Sequence, residues 1–174
     1  KWISLYNEMK LRTFSSIFCQ KFPNLEVVRA NEVELESIDE NSLLYCPNLD
    51  HLLLDNNKLR AVPEYLLIRN SKLTLLWLQS NQLTSLPQNL FANQGRLEAL
   101  DLSDNQINFL PSNIFYPLAR LLSLQLYNNQ LQSLDPQWFV NLQNLRRLGL
   151  DGNQISEVPS KCFAALKNLE LLFM

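Results

Sequence analysis

The chain has 174 residues, of which 47% are hydrophobic and 18% charged, and its formal net charge at pH 7 is -2. A balance this close to neutral, with a pI near 5.4, argues against a nucleic-acid-binding module, because such modules normally carry a basic stripe. No run of about 18 apolar residues occurs, so the sequence predicts no membrane span.

The first 24 residues predict a degraded copy of the pattern that fills the rest of the chain. Ile3 and Leu5 alternate with polar residues as in a β-strand. Aromatic side chains follow where the second half of a repeat should lie, at Phe14, Phe18 and Phe22. The register of this segment slips by about one residue against the later copies.

From residue 25 onwards the sequence repeats every 24 residues without insertion or deletion. Each copy follows L-x-x-L-x-L-x-x-N-x-L-x-x-L-P-x-x-x-F-x-x-L-x-x, and this period is typical of a solenoid, in which each repeat contacts only its neighbours. The copies begin at Leu25, Leu49, Leu73, Leu97, Leu121, Leu145 and Leu169.

The L-x-x-L-x-L segment alternates apolar and polar residues, which predicts one strand per repeat with one buried face. Strands that all run in the same direction build a parallel sheet on the concave side. Counting partial strands at both ends, we expect eight strands spaced ~4.8 Å apart, an array roughly 35 Å long.

An asparagine follows each strand from the second copy onwards, at Asn57, Asn81, Asn105, Asn129 and Asn153. An amide both donates and accepts, so each can bridge its own turn and the next repeat. An unpaired buried backbone group would cost about 1–3 kcal/mol, and we therefore interpret this ladder as structural. Val33 takes the slot in the first copy, so that turn must close differently.

The second half of each copy predicts a convex side with a spine of stacked rings. Leu43 and Leu67 take the spine position in the first two copies, and the residue before it should also be buried. Asn70 and Gln94 replace a core leucine, so we expect irregular loops there. The spine residues are Phe91, Phe115, Phe139 and Phe163.

The copy LEALDLSDNQINFLPSNIFYPLAR, Leu97 to Arg120, resembles the leucine-rich repeat family in its 24-residue extracellular form. The resemblance implies an α/β-type solenoid, an arc with a parallel β-sheet on the concave face and a mostly irregular or short-helical convex side. Within the family the chain is similar to secreted insect immune proteins, Toll-type receptor ectodomains and antigen receptors of jawless vertebrates. We favour the insect group, although the repeat body alone does not separate the three.

Residues 1–174 are therefore expected to form a single leucine-rich repeat domain. It comprises a degenerate repeat at 1–24, six repeats at 25–168 and the start of a truncated repeat at 169–174. The sequence begins and stops inside predicted strands, and a solenoid needs terminal caps, so we expect a piece of a longer protein.

Residues between the strand leucines face outward on the concave sheet, where the fold requires no apolar side chain. Leu53, Leu75 and Trp77 nevertheless fall together. An apolar patch rimmed by polar groups suggests an interface, and Trp and Tyr are favoured anchors. We predict a ligand-binding face; the alternative is scattered surface residues or a dimer contact. Its residues are His51, Leu53, Asp55, Leu75, Trp77, Gln79, Asp101, Gln125 and Tyr127.

Cys19 and Cys46 are 27 residues apart, one period plus three. Stacked repeats lie about 5 Å apart, so the pair falls within the ~4.4–6.8 Å that a disulfide allows. We predict a disulfide, which implies an oxidising compartment; the alternative is two buried free thiols. Cys162 should stay free and buried, or pair only with a cysteine beyond Met174.

The sequence offers no support for catalysis. His51 has Asp50 and Asp55 nearby, but no positioned nucleophile completes a triad. The cysteines lack metal-ligand spacing, and no glycine-rich phosphate motif occurs. We therefore predict no enzyme activity, no cofactor and no metal site.

Together these features predict a recognition module of innate immunity that binds a protein or microbial surface ligand on its concave face. The alternatives are a structural, adhesive or dimerisation scaffold of a larger assembly, and a regulatory scaffold inside the cell. We expect homo- or heterodimers, no nucleic-acid partner and an extracellular location, secreted or as a receptor ectodomain, with the cytoplasm as the alternative.

Overall fold

A computed structural model of the chain describes residues 1–5 and 11–174 as an arc of stacked repeats with few helices. Among these residues the only α-helix, α1, is Ile17–Lys21, and a 3-10 turn covers Pro136–Trp138. No helix in the described ranges is long and apolar enough to cross a membrane.

The strands are β1 (Trp2–Ser4), β2 (Thr13–Phe14), β3 (Val27–Arg29), β4 (Ser37–Ile38), β5 (His51–Leu53), β6 (Leu75–Trp77), β7 (Ala99–Asp101), β8 (Ser123–Gln125), β9 (Arg147–Gly149) and β10 (Leu171–Phe173).

Eight strands form one parallel sheet in the order β1-β3-β5-β6-β7-β8-β9-β10, as predicted. From β3 onwards each residue pairs with the residue 24 positions later, as His51 does with Leu75, so the repeat period equals the sheet register. Trp2 pairs with Val27 instead, a step of 25. This confirms the one-residue slip of the first repeat.

Strands β5 to β9 form because the middle residue of each is a leucine that packs between neighbouring repeats. These leucines are at most 1% exposed, and they join the other repeat leucines in one core that runs the length of the array. Each repeat is therefore stabilised mainly by the repeats on either side. The middle leucines of β5 to β9 are Leu52, Leu76, Leu100, Leu124 and Leu148.

A second, two-stranded sheet joins β2 to β4, and the sequence did not predict it. Thr13 pairs with Ser37, with the two hydroxyl oxygens 2.9 Å apart, and Phe14 pairs with the buried Ile38. Each strand has two residues, which is too short for a period-two pattern to be recognised in a sequence.

The asparagine ladder satisfies backbone groups, but it reaches the preceding repeat and not the next one. Asn105 Nδ2 donates to the carbonyl oxygens of Leu102 and Ser103 in its own turn, at 3.1 and 3.0 Å. It also donates to Leu78 O at 3.0 Å, and Asn105 Oδ1 accepts from Leu83 N at 3.0 Å. The same contacts recur at Asn57, Asn81, Asn129 and Asn153.

The turn at Val33 closes differently, as expected. Leu35 N donates to Asn57 Oδ1 at 3.0 Å, as the equivalent residue does in the later repeats, and Val33 N adds a second bond to the same oxygen at 3.1 Å. Glu32 is left-handed, like its equivalents in the later repeats, whereas Glu34 adds a second left-handed residue, with φ of 64°. The turn with valine in the asparagine slot therefore differs by one hydrogen bond and one backbone conformation.

The convex spine is present. Phe91, Phe115 and Phe139 are fully buried. The ring centroids of Phe91 and Phe115 lie 6.2 Å apart, and those of Phe139 and Phe163 lie 5.4 Å apart. The residues before the spine are also buried, namely Leu66, Leu90, Ile114, Trp138 and Cys162.

The loops at Asn70 and Gln94 keep the regular turn, so the prediction of irregular loops is wrong. The backbone carbonyls of Asn70 and Gln94 each accept a hydrogen bond from the backbone nitrogen three residues later. The carbonyl of Leu118 does the same in a regular repeat. Both side chains are fully buried. Asn70 Nδ2 donates to Cys46 O and Gln94 Nε2 donates to Leu67 O, each at 2.7 Å. A buried amide that finds an acceptor fills the leucine position without disturbing the turn.

The structure contains a disulfide between Cys19 and Cys46, whose Cα atoms are 5.2 Å apart. It ties α1 of the degenerate repeat to the first regular repeat. Cys162 is free and buried. Burial, and to a smaller extent the charge of Asp135, raises the pKa of the Cys162 thiol, so the thiolate that would react with oxidants is disfavoured.

Candidate binding surface

The outward side chains of the sheet form three rows that cross the strands, and all nine predicted residues lie on this one face. The second row holds Leu53, Trp77, Asp101 and Gln125 in register on β5 to β8. Eight of the nine are half-buried, and one, Asp55, is buried. We call the set the concave patch: His51, Leu53, Asp55, Leu75, Trp77, Gln79, Asp101, Gln125 and Tyr127.

Trp77 lies in the middle of the patch, with Leu53 beside it on β5 and Asp101 beside it on β7. Neighbouring strands are ~4.8 Å apart, so the indole has an apolar neighbour on one side and a carboxylate on the other. The core on the opposite face is filled by Leu76 and the other middle leucines. Trp77 is therefore not required for packing and remains half-accessible for a partner.

Asp101 is held in place by Ser103. The backbone nitrogen of Ser103 donates to Asp101 Oδ1 at 3.0 Å, and the Ser103 hydroxyl donates to the same oxygen. Burial nevertheless raises the pKa of Asp101, and the nearby charges of Asp104 and Asp55 act in the same direction. The patch thus contains a fixed carboxylate whose ionised form is poorly solvated.

Asp55 and Gln79 present acceptor oxygens that lack donors. Asp55 is only 7% exposed; its Oδ2 accepts from Asn56 Nδ2 at 2.8 Å. Among the described residues, Asp55 Oδ1 and Gln79 Oε1 are buried without a hydrogen-bond partner. An unmet buried acceptor costs about 1–3 kcal/mol. Asp55 and Gln79 occupy equivalent positions, two residues after the adjacent strands β5 and β6, so the two unmet groups belong to one part of the patch.

Gly149 shapes the far edge of the patch. A Cβ at this position would clash with Gln125 Oε1 and lie 3.2 Å from Tyr127 Cδ1. The missing side chain therefore leaves space beside β9 for Gln125 and Tyr127. Gln125 Nε2 also donates to Ser123 Oγ on its own strand, β8, at 3.0 Å.

Sequence reasoning missed Ser103, Asp104 and Gly149 as contributors to this face. Ser103 occupies the same third row as Gln79 and Tyr127, and its full burial marks it as more than a surface residue. Asp104 lies at the left-handed turn position, with φ of 53°. Its charge acts on Asp101 through space, which a sequence pattern does not show.

His51 lies beside an acid, but its contacts are unlike those of a catalytic triad. His51 Nε2 is 3.5 Å from Asp50 Oδ2. The nearby hydroxyl, Thr74 Oγ1, donates to Asp50 Oδ1 at 2.6 Å and so faces the acid. In a hydrolase the nucleophile contacts the histidine, which in turn contacts the acid.

A cavity of about 570 Å³ lies elsewhere, at the N-terminal end of the array, lined by Lys1, Trp2, Phe22 and Pro23 among others. The concave patch is a broad surface across four strands, β5 to β8. Small molecules are usually enclosed in clefts, whereas an extended face suits a macromolecular partner.

A leucine-rich repeat family model matches residues 71–131 and 119–174. The two matches together cover more than half of the chain, which therefore belongs to the leucine-rich repeat family. No curated protein sequence matches it.

Three solved structures have the same arrangement. TLR13, in a complex with ssRNA13, superposes with a TM-score of 0.90 at 26% identity, over 98% of this chain and 24% of that chain. The LRIM1/APL1C complex gives a TM-score of 0.71 at 21% identity, over 94% of this chain and 42% of that chain. The Toll–Spatzle complex of Drosophila gives a TM-score of 0.60 at 20% identity, over 95% of this chain and 28% of that chain. The resemblance to Toll-type ectodomains and insect immune proteins is thus confirmed at the level of the fold, while this chain spans less than half the length of each.

Proposed function

We propose that this chain is a non-enzymatic recognition module of the innate-immune type. Residues 1–174 act as one domain that binds a protein or microbial surface ligand through the concave patch. The observation that carries the proposal is Trp77, a half-accessible indole beside Leu53, in a position that the core does not need. Aromatic anchors surrounded by polar groups dominate the binding energy of many interfaces.

Protein partners are supported by the relatives in the solved complexes. Toll is bound to Spatzle, and LRIM1 to APL1C. TLR13 is bound to ssRNA13, so the fold by itself does not exclude a nucleic-acid partner. In this chain Asp55 and Asp101 place negative charge in the patch, which would repel phosphates. A protein partner is therefore the better match.

An extracellular location, secreted or as an ectodomain, is supported by the disulfide between Cys19 and Cys46. Disulfides form and persist in oxidising compartments and are rare in the cytosol. The Drosophila Toll complex supports an insect-type immune setting.

The second candidate function is a dimerisation scaffold, favoured by the LRIM1/APL1C complex. In that case Trp77 and Leu53 would contact another copy of this fold. Sedimentation over a range of concentrations separates the two: a dimer that Trp77→Ala dissociates would assign the patch to self-association.

The ligand proposal is tested with Trp77→Ala. Removing a central aromatic anchor should cost about 2 kcal/mol or more of binding free energy, roughly a 30-fold rise in Kd. Thermal unfolding should be nearly unchanged, because the side chain lies outside the core. The measurement is a titration of the purified partner, first recovered from a secreted fraction by the immobilised chain.

Tyr65→Ala is the matched control, because Tyr65 is 47% exposed on the convex side. It should bind the partner like the wild type. Equal affinity of wild type and Trp77→Ala would remove the concave patch from the binding site.

A further inference from the structure

We propose that the concave patch binds a guanidinium group, so that the partner presents an arginine side chain to Trp77, Asp55 and Asp101. This inference rests on the proposed function and gives the chemistry of the ligand group. Three properties of the patch point to it: an accessible aromatic face, carboxylates without a countercharge, and buried acceptors without donors.

The negative charge of the patch has no partner within the described residues. Asp55, Asp101 and Asp104 lie close enough for their charges to interact. None of the ion pairs formed by residues 1–5 and 11–174 includes any of them. The basic residues of the same rows, Arg29 on β3 and Arg147 on β9, lie two and three strands from Trp77. A cation from outside the chain would therefore meet uncompensated charge.

The unmet acceptors provide an independent reason for a donor. Asp55 is more than nine-tenths buried, yet its Oδ1 has no donor, and Gln79 Oε1 beside it has none either. Gln79 lies two residues after Trp77 on the same face, and Asp55 takes the equivalent position in the preceding repeat. The Gln79 side chain is only half-buried, so its amide can turn towards an entering donor.

A guanidinium suits this arrangement better than an ammonium. It is planar, stacks on aromatic faces and carries five donors in a fixed fork. Asp101 lies on β7 and Asp55 follows β5 by two residues, so the two acids belong to the repeats on either side of the one that carries Trp77. A guanidinium stacked on Trp77 therefore has a carboxylate on either side. Ser103 already holds Asp101, so little ordering is required on binding.

The test uses the 15N-labelled chain and follows its tryptophan indole signals by NMR. The chain has three tryptophans: Trp77 reports on the patch, Trp2 is 70% exposed and reports on nonspecific contact, and Trp138 is buried. The probes are N-acetyl-arginine methylamide, its neutral isostere N-acetyl-citrulline methylamide, and N-acetyl-lysine methylamide with a free side-chain amine, at equal ionic strength.

The arginine probe should shift the Trp77 signal saturably without a parallel change at Trp2. The citrulline probe should bind at least tenfold more weakly, and the lysine probe severalfold more weakly. Asp55→Asn and Asp101→Asn should each weaken arginine binding at least fivefold. The control is Asp151→Asn. It removes an exposed charge at the position equivalent to Asp55, three repeats beyond Trp77, and should have no effect.

The inference is overturned if citrulline or lysine binds as well as arginine, if Trp2 responds like Trp77, or if Asp101→Asn changes nothing. Its failure is distinguishable from failure of the proposed function. If the arginine probe does not bind but Trp77→Ala still weakens the natural partner, the patch remains the binding site and only its arginine preference is wrong.

Discussion

Asp101 links the binding surface to the folding equilibrium at the scale of a single residue. Two donors from Ser103 hold its carboxylate, yet burial raises the pKa of Asp101 above its usual value. The ionised form is therefore less favourable in the folded protein than in the unfolded chain. Ionised Asp101 therefore lowers the stability of the free protein, and a cation supplied by a partner would offset that cost.

Asp101→Asn should stabilise the free protein at neutral pH. The amide oxygen can still accept from Ser103, while the poorly solvated charge is lost. Because the folded pKa of Asp101 is raised, its ionised form lowers stability above that pKa, and this penalty disappears as the pH falls towards 3.8. Urea unfolding at several pH values should therefore show an advantage of the variant that vanishes in acid. An equal difference at all pH values would contradict the account.

The turn that follows each strand is the element that joins one repeat to the next. Asn105 is only 8% exposed. Its side-chain amide donates to three backbone carbonyls and accepts from one backbone nitrogen, and these groups belong to two repeats. Asn153 makes the same contacts near the C-terminal end of the array but is partly exposed. Water can replace its amide there, as it cannot at Asn105.

Asn105→Ala should therefore lower the free energy of unfolding by about 3 kcal/mol or more, because several buried backbone groups lose their partners. Asn153→Ala should cost only about 1 kcal/mol. Chemical denaturation of both variants gives the comparison. Equal and small losses would mean that the ladder contributes little to the coupling of repeats.

The elements that depend on the period could be predicted from the sequence, and those that depend on spatial neighbours could not. The strand at Leu76, the ladder at Asn105 and the spine at Phe115 recur every 24 residues, so each was expected. The regular turn at Asn70 was not, because it depends on a hydrogen bond from Asn70 Nδ2 to a carbonyl of another repeat.

The same limit applies to the concave patch. Alternation along each strand was enough to place Trp77 on the outward face. The burial of Asp55, the influence of its charge on Asp101 and the space left by Gly149 all arise between strands. A sequence pattern along one segment does not show which residues of neighbouring repeats lie close to it in space.

At the scale of the whole molecule, the array is stabilised from neighbour to neighbour, so an irregular repeat is a weak point. The degenerate first repeat is such a point, since its register differs from the others. The disulfide between Cys19 and Cys46 joins it covalently to the repeat that follows.

Reduction should remove roughly 3–4 kcal/mol of stability in the chain-entropy model, and the loss should begin in the first repeat. Hydrogen exchange with and without reductant measures both effects. Reductant should not affect a Cys19→Ser/Cys46→Ser double variant. The unreduced, unfolded protein should titrate with one free thiol, Cys162; three free thiols would contradict the disulfide.

Hydroxyl-radical footprinting of the complex shows whether the partner covers the concave patch. Trp77 and Tyr127 report on the patch, while Tyr65 and Tyr116, 47% and 56% exposed on the convex side, are internal references. We expect binding to slow the oxidation of Trp77 and Tyr127 severalfold and to leave the two references unchanged. Protection of Tyr65 and Tyr116 with Trp77 and Tyr127 still fully reactive would place the partner on the convex side and contradict this expectation.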